Sequence, residues 1–465
     1  MSTDPIFVPI RQLAGLVRDR KVSPVDLAET YLRRLETLGP RWNAVVTITR
    51  DRAMAEAREA EREIASGQYR GLLHGIPYGA KDLLATSGGI PTTWGAAVFR
   101  NQQFDADATV VRKLREAGAV LCAKLAMVEL AGGMGYRQPN ASFTGPGVNP
   151  WNADAWSGGS SSGSGSAVAA GLVPFAIGSE TWGSILGPAG YCGLAGLRPT
   201  YGRVSRHGAM ALCWSLDKLG PLCLTADDCG VVLEAIAGSD PADPTTTARD
   251  FRYADGDARD GRFRFAVLQN ATTGCDGAVT TAFTRSLETL RALGTIEEVA
   301  LPDLPYEAIT RTILQVEAAS AFEDLIESGG IAGLTAPEDH WSAYARDAIL
   351  AKDYIKALRL RTVVAREMDR VLSRFDAIVA PGRVAVAPPL GREFRSPLGG
   401  SAPDIPGAVG NGAGLPAIVV PNGVGDGGLP TSLMFMGRAW EENAILAAAR
   451  AYQAITEWHT KHPAL

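Results

Sequence analysis

The sequence predicts an α/β chain, and three observations carry that reading. Amphipathic stretches alternate with short apolar runs: in DATVVRKLREAGAVLCAKLAM a helix pattern passes into the strand AVLCAKL. The same succession recurs in AVAAGLVPFAIG, which reads as a buried helix followed by a buried strand. Composition is that of a globular core, with 46% hydrophobic and 20% charged residues. No internal repeat or linker-like tract divides the chain. Residues 1–465 are therefore read as one domain, although the length allows about three.

The elements follow in order. Ser23-Pro24-Val25-Asp26 places a capping serine before a proline, which predicts a helix from there to about Thr37. Asp51 to Ala65 is a charged, Ala-rich helix closed by Ser66-Gly67. In LLHGIPYGAKDLLATSGGIPTTWG a short apolar strand ends at Lys81 and a polar Gly-rich loop follows. After the helix and strand quoted above, the loop ELAGGMGYRQPNASFTGPGVNPWN is expected to border a pocket. From Asp240 to Ala336 the chain turns polar and loop-rich, and about 240–340 is expected to be a variable, substrate-facing excursion before and beyond the strand RFAVLQ. A helical stretch from Trp341 to Phe375 leads to the buried strand FDAIVAPG, and a terminal helix is expected from Glu441 to His459.

Charge and composition exclude several classes of function. The net charge of -5 offers no basic surface for nucleic acid. No run approaches the 18 apolar residues of a membrane span, and MSTDPIFVPI lacks the charged leader and apolar core of a secretory signal. Six cysteines, at 122, 192, 213, 223, 229 and 275, show no C-x-x-C spacing and read as buried free thiols in a reducing, cytoplasmic setting. The five histidines form no metal-binding pattern, so neither a metal nor a cofactor is expected.

The stretch from Trp156 to Pro199 carries the chemistry. Every residue from Ser157 to Ser166 is serine or glycine, and the tract runs directly into apolar sequence, unlike a flexible linker. Glycine lets backbone approach something closely, and free N–H groups in such turns collect negative charge. The tract is not a phosphate loop, because it contains no lysine. It is not a dinucleotide fingerprint either, because Gly163-x-Gly165 is followed by Val168 where a third glycine belongs. An oxyanion site served by hydroxyls is the other reading.

The ordered segments HGIPYGAKD, GGSSSGS, ETWGSIL, PAGYCG and GLRPT resemble the pattern of the amidase signature hydrolases, whose versions run GGSSGGS, TDTGGSIR, PA-x-CG and GLKPT. The resemblance spans nearly the whole chain, with its core at 75–225. It implies one compact domain with a large twisted mixed sheet covered by helices on both faces. It also implies a Ser-Ser-Lys triad: Ser184 as nucleophile, Ser160 after a cis peptide as bridge, and Lys81 as base. The oxyanion would be met by the backbone N–H groups of Thr181, Trp182, Gly183 and Ser184. Such chemistry suits an unactivated amide or carbamate, which needs a nucleophile, a base, a proton donor and an oxyanion site. A lysine can be that base if burial lowers its pKa from about 10.4 toward about 7–8.

Two other motifs compete for the nucleophile. Ser215-Leu216-Asp217-Lys218 matches S-x-x-K, but the companion S-D-N and K-T-G motifs are absent. Gly159-Ser160-Ser161-Ser162-Gly163 matches G-x-S-x-G, yet no hydrophobic strand precedes it.

Departures from the family pattern bear on substrate. Trp182 stands where the pattern has Gly, Leu186 where it has Arg, and Met434 where it has Gln. Glu180 is left to find a partner such as Arg198 or a serine hydroxyl. Met134, Phe143, Leu186 and Met434 are expected in the substrate pocket, with Trp182 or Phe143 stacking on an aryl ring. Without a charged clamp near Leu186 the site is expected to prefer small neutral amides or carbamates, as in the urethane-cleaving branch of the family. The alternative is the A-type glutaminase subunit of a tRNA-dependent amidotransferase, which needs partner chains; a non-catalytic binding module of the same fold is a third reading. A small-molecule substrate, no nucleic acid, no membrane, and a monomer or homodimer are the expected associations.

Overall fold

The computed structural model describes residues 5–254, 262–342, 344–394 and 404–465. The strands in chain order are β1 (Val45–Ile48), β2 (Pro77–Lys81), β3 (Val120–Leu125), β4 (Val148–Asn149), β5 (Asn152–Trp156), β6 (Phe175–Glu180), β7 (Ala195–Arg198), β8 (Lys218–Cys223), β9 (Phe263–Leu268), β10 (Gly294–Val299), β11 (Ala377–Pro381), β12 (Ala417–Val424) and β13 (Pro430–Met436). Eleven of them form one sheet in the order β1-β3-β2-β6-β8-β7-β12-β13-β11-β9-β10, while β4 and β5 make a separate ribbon. The sheet is mixed: β2 runs parallel to β3 and β6, β9 runs parallel to β10 and β11, and the remaining neighbours are antiparallel. Fourteen α-helices accompany the strands among the described residues.

The central strands are buried along their whole length, as apolar runs without alternation require: all six residues of β3, β6 and β8 are buried. Local signals hold where they were strongest. Ser23 caps the helix Pro24–Leu38 by accepting from the N–H groups of Val25 and Asp26. The charged helix runs Arg50–Ala65, and the helix and strand of the 107–127 segment are Thr109–Glu116 and β3.

The region 240–336 departs from its loop-rich expectation. It supplies β9 and β10 at one edge of the large sheet and the helices Gly277–Leu293 and Tyr306–Ala321. Polar residues there mark half-exposed helices, as in the burial of Val279, Phe283, Ser286 and Leu290 along one of them. Residues 255–261 of the expected excursion lie outside the described residues. The stretch expected as one helix from Trp341 to Phe375 is a short turn, Asp339–Ser342, a 3₁₀ segment at Tyr344–Ala348, and a 22-residue helix, Ala351–Leu372. The terminal helix is Glu442–Ala454, with a 3₁₀ turn at Trp458–Thr460 rather than a continuous helix to His459.

The Ser/Gly tract packs into the centre. It becomes the helix Ser162–Ala169, buried at every residue, and a Cβ on Gly163 would come within 2.4 Å of Ala126 N and Ala44 O. Only glycine lets that backbone approach so closely.

Candidate active site

β2 and β6 are parallel neighbours, with Ala80 opposite Ile177. Lys81 at the end of β2 therefore stands beside the end of β6. Its side chain is fully buried, and Nζ lies 2.8 Å from Ser160 Oγ and 2.9 Å from Ser179 Oγ. Among the described residues no carboxylate pairs with it. Burial lowers its pKa to about 7, against an opposing pull from Asp217 and Glu180.

Ser160 is buried and follows a cis peptide bond, Gly159-Ser160. The next residue, Ser161, donates its N–H to the carbonyl of Ser184 at 3.3 Å, which ties the Ser/Gly tract to the turn after β6. That turn holds Thr181, Trp182, Gly183 and Ser184, with Gly183 at φ 86°. Among the described residues the N–H groups of Trp182, Gly183 and Ser184 find no protein acceptor.

Glu180 holds the turn from inside. Its carboxylate accepts from the N–H groups of Ile185 and Leu186, both at 2.9 Å, and from Arg198 Nη1 at 2.8 Å. Burial pushes the Glu180 pKa up, but Arg198 and the backbone donors outweigh it and hold the group at about 2. Of the two kinds of partner expected from sequence, Arg198 or a serine hydroxyl, Glu180 takes Arg198. Thr181 Oγ1 donates to Asp217 at 2.5 Å, and Asp217 also accepts from the N–H groups of Leu212 and Cys213.

A cavity of about 1270 Å³ opens on this turn, lined by Thr181, Trp182, Gly183 and Ser184. One wall is aromatic: Trp156 and Phe394 stack at 4.8 Å between centroids, and Tyr136 meets both edge-on. Another wall is charged, with Glu307, Arg311, Arg383 and Asp404. The Trp182 indole N–H donates to Asp404 at 2.9 Å, and the Arg311 guanidinium sits 5.6 Å over the same ring. The expectation of a site without charged groups is therefore corrected: the local sequence around Ser184 is apolar, but residues more than 100 positions downstream bring charge to it.

The predicted pocket residues separate. Met134 lines the cavity. Phe143, Leu186 and Met434 are not among its lining residues. Phe143 turns to the Arg100 guanidinium at 5.2 Å, Leu186 is buried at the start of the helix Leu186–Tyr191, and Met434 is buried in β13 between Ala380 and Val419. An apolar residue in or beside a signature motif is thus not by itself placed on the cavity.

The competing motifs are not assembled. Ser215 Oγ donates to Glu317 at 2.6 Å, while Lys218 Nζ donates to Asn411 Oδ1 at 2.9 Å. Ser161 Oγ donates to the carbonyl of Ser179 at 3.3 Å and has no histidine beside it. Among the described residues no cluster of His, Cys, Asp and Glu could hold a metal ion, and all six cysteines are free thiols. No helix is long and apolar enough to cross a membrane among the described residues.

A buried amine whose pKa is lowered to about 7 and that is hydrogen-bonded to a serine hydroxyl can take up a proton in its neutral form, and a cavity-lining serine on a turn with unused N–H groups can attack a carbonyl and stabilise the oxyanion. That is the equipment of an acyl-transfer hydrolase. The sequence model of the Amidase family matches residues 26–446, and the chain belongs to that family. It is 34% identical over 488 residues to the A-type subunit of glutamyl-tRNA(Gln) amidotransferase from Carboxydothermus hydrogenoformans, covering 99% of both chains. The corresponding protein of Chloroflexus aurantiacus is 37% identical over 476 residues, with 96% of each chain covered. The crystal structure of native peptide amidase from Stenotrophomonas maltophilia superposes with a TM-score of 0.85 at 31% identity, over 97% of each chain.

Proposed function

We propose that this chain hydrolyses the carbon–nitrogen bond of small amides and carbamates through a covalent intermediate on Ser184. The observation that carries the reading is the 2.8 Å contact between Ser160 Oγ and a Lys81 whose pKa lies near 7. Neutral Lys81 accepts the Ser160 proton as Ser160 accepts that of Ser184, and Ser184 Oγ attacks the carbonyl carbon. The N–H groups of the turn Thr181–Ser184 receive the oxyanion. The proton returns through Ser160 to the leaving nitrogen, the C–N bond breaks, and the amine departs. Water then attacks the ester carbonyl by the same relay and frees Ser184. An amide yields acid and amine; a carbamate yields amine and a carbonic half-ester that breaks down to alcohol and carbon dioxide.

The aromatic wall of Tyr136, Trp156 and Phe394 supports aryl-bearing substrates. A cavity of about 1270 Å³ also exceeds what glutamine alone would fill. A second reading, a glutaminase that works with partner chains, is favoured by the whole-length similarity to A-type amidotransferase subunits and by the charged wall. The purified chain alone, assayed on an aryl anilide, an aryl carbamate and glutamine, separates them. Turnover of the aryl substrates with higher kcat/KM than glutamine supports the first. Glutaminase activity that appears only with partner subunits, and no aryl turnover, replaces it with the second.

A further inference from the structure

Arg383 follows β11 by two residues and takes no part in the proposed proton relay. Its guanidinium lines the cavity at the turn that bears Ser184: Nη1 lies 3.5 Å from the position a Cβ on Gly183 would occupy and 3.9 Å from that of Gly187. The ring of Tyr191 lies 5.3 Å beneath it. Among the described residues no carboxylate forms an ion pair with Arg383, and its buried Nε has no acceptor. The Asp404 carboxylate favours the Arg383 charge from beyond ion-pair distance, while its oxygens accept from the Trp182 indole at 2.9 Å and the Gly407 N–H at 3.0 Å. A cation of this kind, held beside the reacting turn with donors left over, is built to receive an anionic oxygen.

Leu186 sharpens the point. The family pattern carries arginine there, and in this chain the position is an apolar side chain outside the cavity lining. Arg383 brings a guanidinium to the same turn from a strand end about 200 residues away in sequence.

We propose that Arg383 sets substrate choice by binding a carboxylate, or an equivalent anionic oxygen, carried by the amide or carbamate close to its scissile carbonyl. This rests on the hydrolase reading above and names its preferred substrates as anionic rather than neutral.

Two matched pairs test it. Butyryl- and succinyl-4-nitroanilide place the charge on the acyl side, while 4′-methylacetanilide and 4-acetamidobenzoate place it on the leaving side. In at least one pair the wild type should favour the charged member. Arg383→Met should lower kcat/KM for that member roughly tenfold or more beyond its effect on the neutral one, chiefly through KM, because a charge-assisted hydrogen bond is lost. Arg383→Lys should recover part of the preference, and Arg383→Gln replaces Met if that variant does not fold. Equal losses on both members of each pair, or a wild type indifferent to charge in both, would overturn the proposal. Should the folded wild type hydrolyse none of the four, the hydrolase reading fails, and calorimetry with N-phenylsuccinamate still decides about Arg383. Binding that weakens about tenfold or more in Arg383→Met sustains the anion site; unchanged or undetectable binding overturns it.

Discussion

Lys81 and Lys124 are both buried on the neighbouring strands β2 and β3, but Lys124 pairs with Ala80 and so points to the opposite face of the sheet from Lys81; there Lys124 has a carboxylate, Asp82, at 3.0 Å, whereas Lys81 has only hydroxyls. Two lysines with nearly the same burial thus differ in what they touch. The ion pair gives Lys124 a partner for its charge, whereas the serines around Lys81 serve an amine as well as an ammonium ion.

The first expectation is a pH–rate profile. With the Lys81 pKa at about 7, kcat/KM should fall about tenfold per unit on the acid side of that value and level off above it. A profile flat from about pH 5.5 to 8.5 would remove neutral Lys81 from the mechanism.

Stability should carry the same signature. The folded pKa of Lys81 lies below its unfolded value of 10.5, so the unfolded chain binds the extra proton between about pH 7 and 10.5, and this group's contribution improves as pH rises through that window. Lys81→Met removes the term. Relative to the wild type, the variant should therefore look more favourable at pH 6 than at pH 10 in denaturant titrations. A stability difference independent of pH would show that Lys81 is not depressed in the folded state.

Loss of the proposed nucleophile separates chemistry from folding. Ser184→Ala and Ser160→Ala should each lower kcat by about 10³-fold or more. The melting temperature should barely change for Ser184→Ala, since that hydroxyl has no hydrogen-bond partner among the described protein groups. Near-normal turnover by Ser184→Ala would send the assignment elsewhere.

Much of this was legible in sequence where neighbours in the chain are neighbours in space. The serine cap at Ser23, the strand ending in Lys81 and the close-packed Ser/Gly tract are of that kind. The Glu180–Arg198 pair was also accessible, because removing the arginine at 186 from the motif leaves a buried carboxylate that needs a cation. Ser179 was overlooked although it lies in the same Trp156–Pro199 stretch: its contact with Lys81 depends on the parallel register of β2 and β6, which no local pattern encodes. Arg383 and Asp404 carry no signal in their own segments, since a lone charged residue beside prolines and glycines in a connecting loop is ordinarily solvated. Phe143, Leu186 and Met434 fail for the converse reason, because an apolar side chain near a site has the protein core as an equally good destination.

Glu180 supplies the fourth expectation. Glu180→Gln leaves Arg198 buried without its anion and weakens the acceptor for Ile185 and Leu186, so it should destabilise by about 3–5 kcal/mol near neutral pH. The folded pKa of about 2 lies below the usual 4.5, so the stability gained from the ionised form is present above 4.5 and fades as pH falls toward 2. The gap between wild type and variant in denaturant midpoints should close over that interval. A gap of the same size at pH 2.5 and pH 7 would contradict the assigned charge state.

The placement of the charged wall bears on how such an enzyme changes over evolutionary time. Lys81, Ser160 and Ser184 all lie before residue 200, whereas Glu307, Arg311, Arg383 and Asp404 come from the part of the chain after residue 300. Mutations in that later part can redraw what the cavity accepts while the Lys81–Ser160 hydrogen bond is kept. One inherited chemistry can in this way diversify through substitutions on the recognition side, each tried without forfeiting turnover of the older substrate.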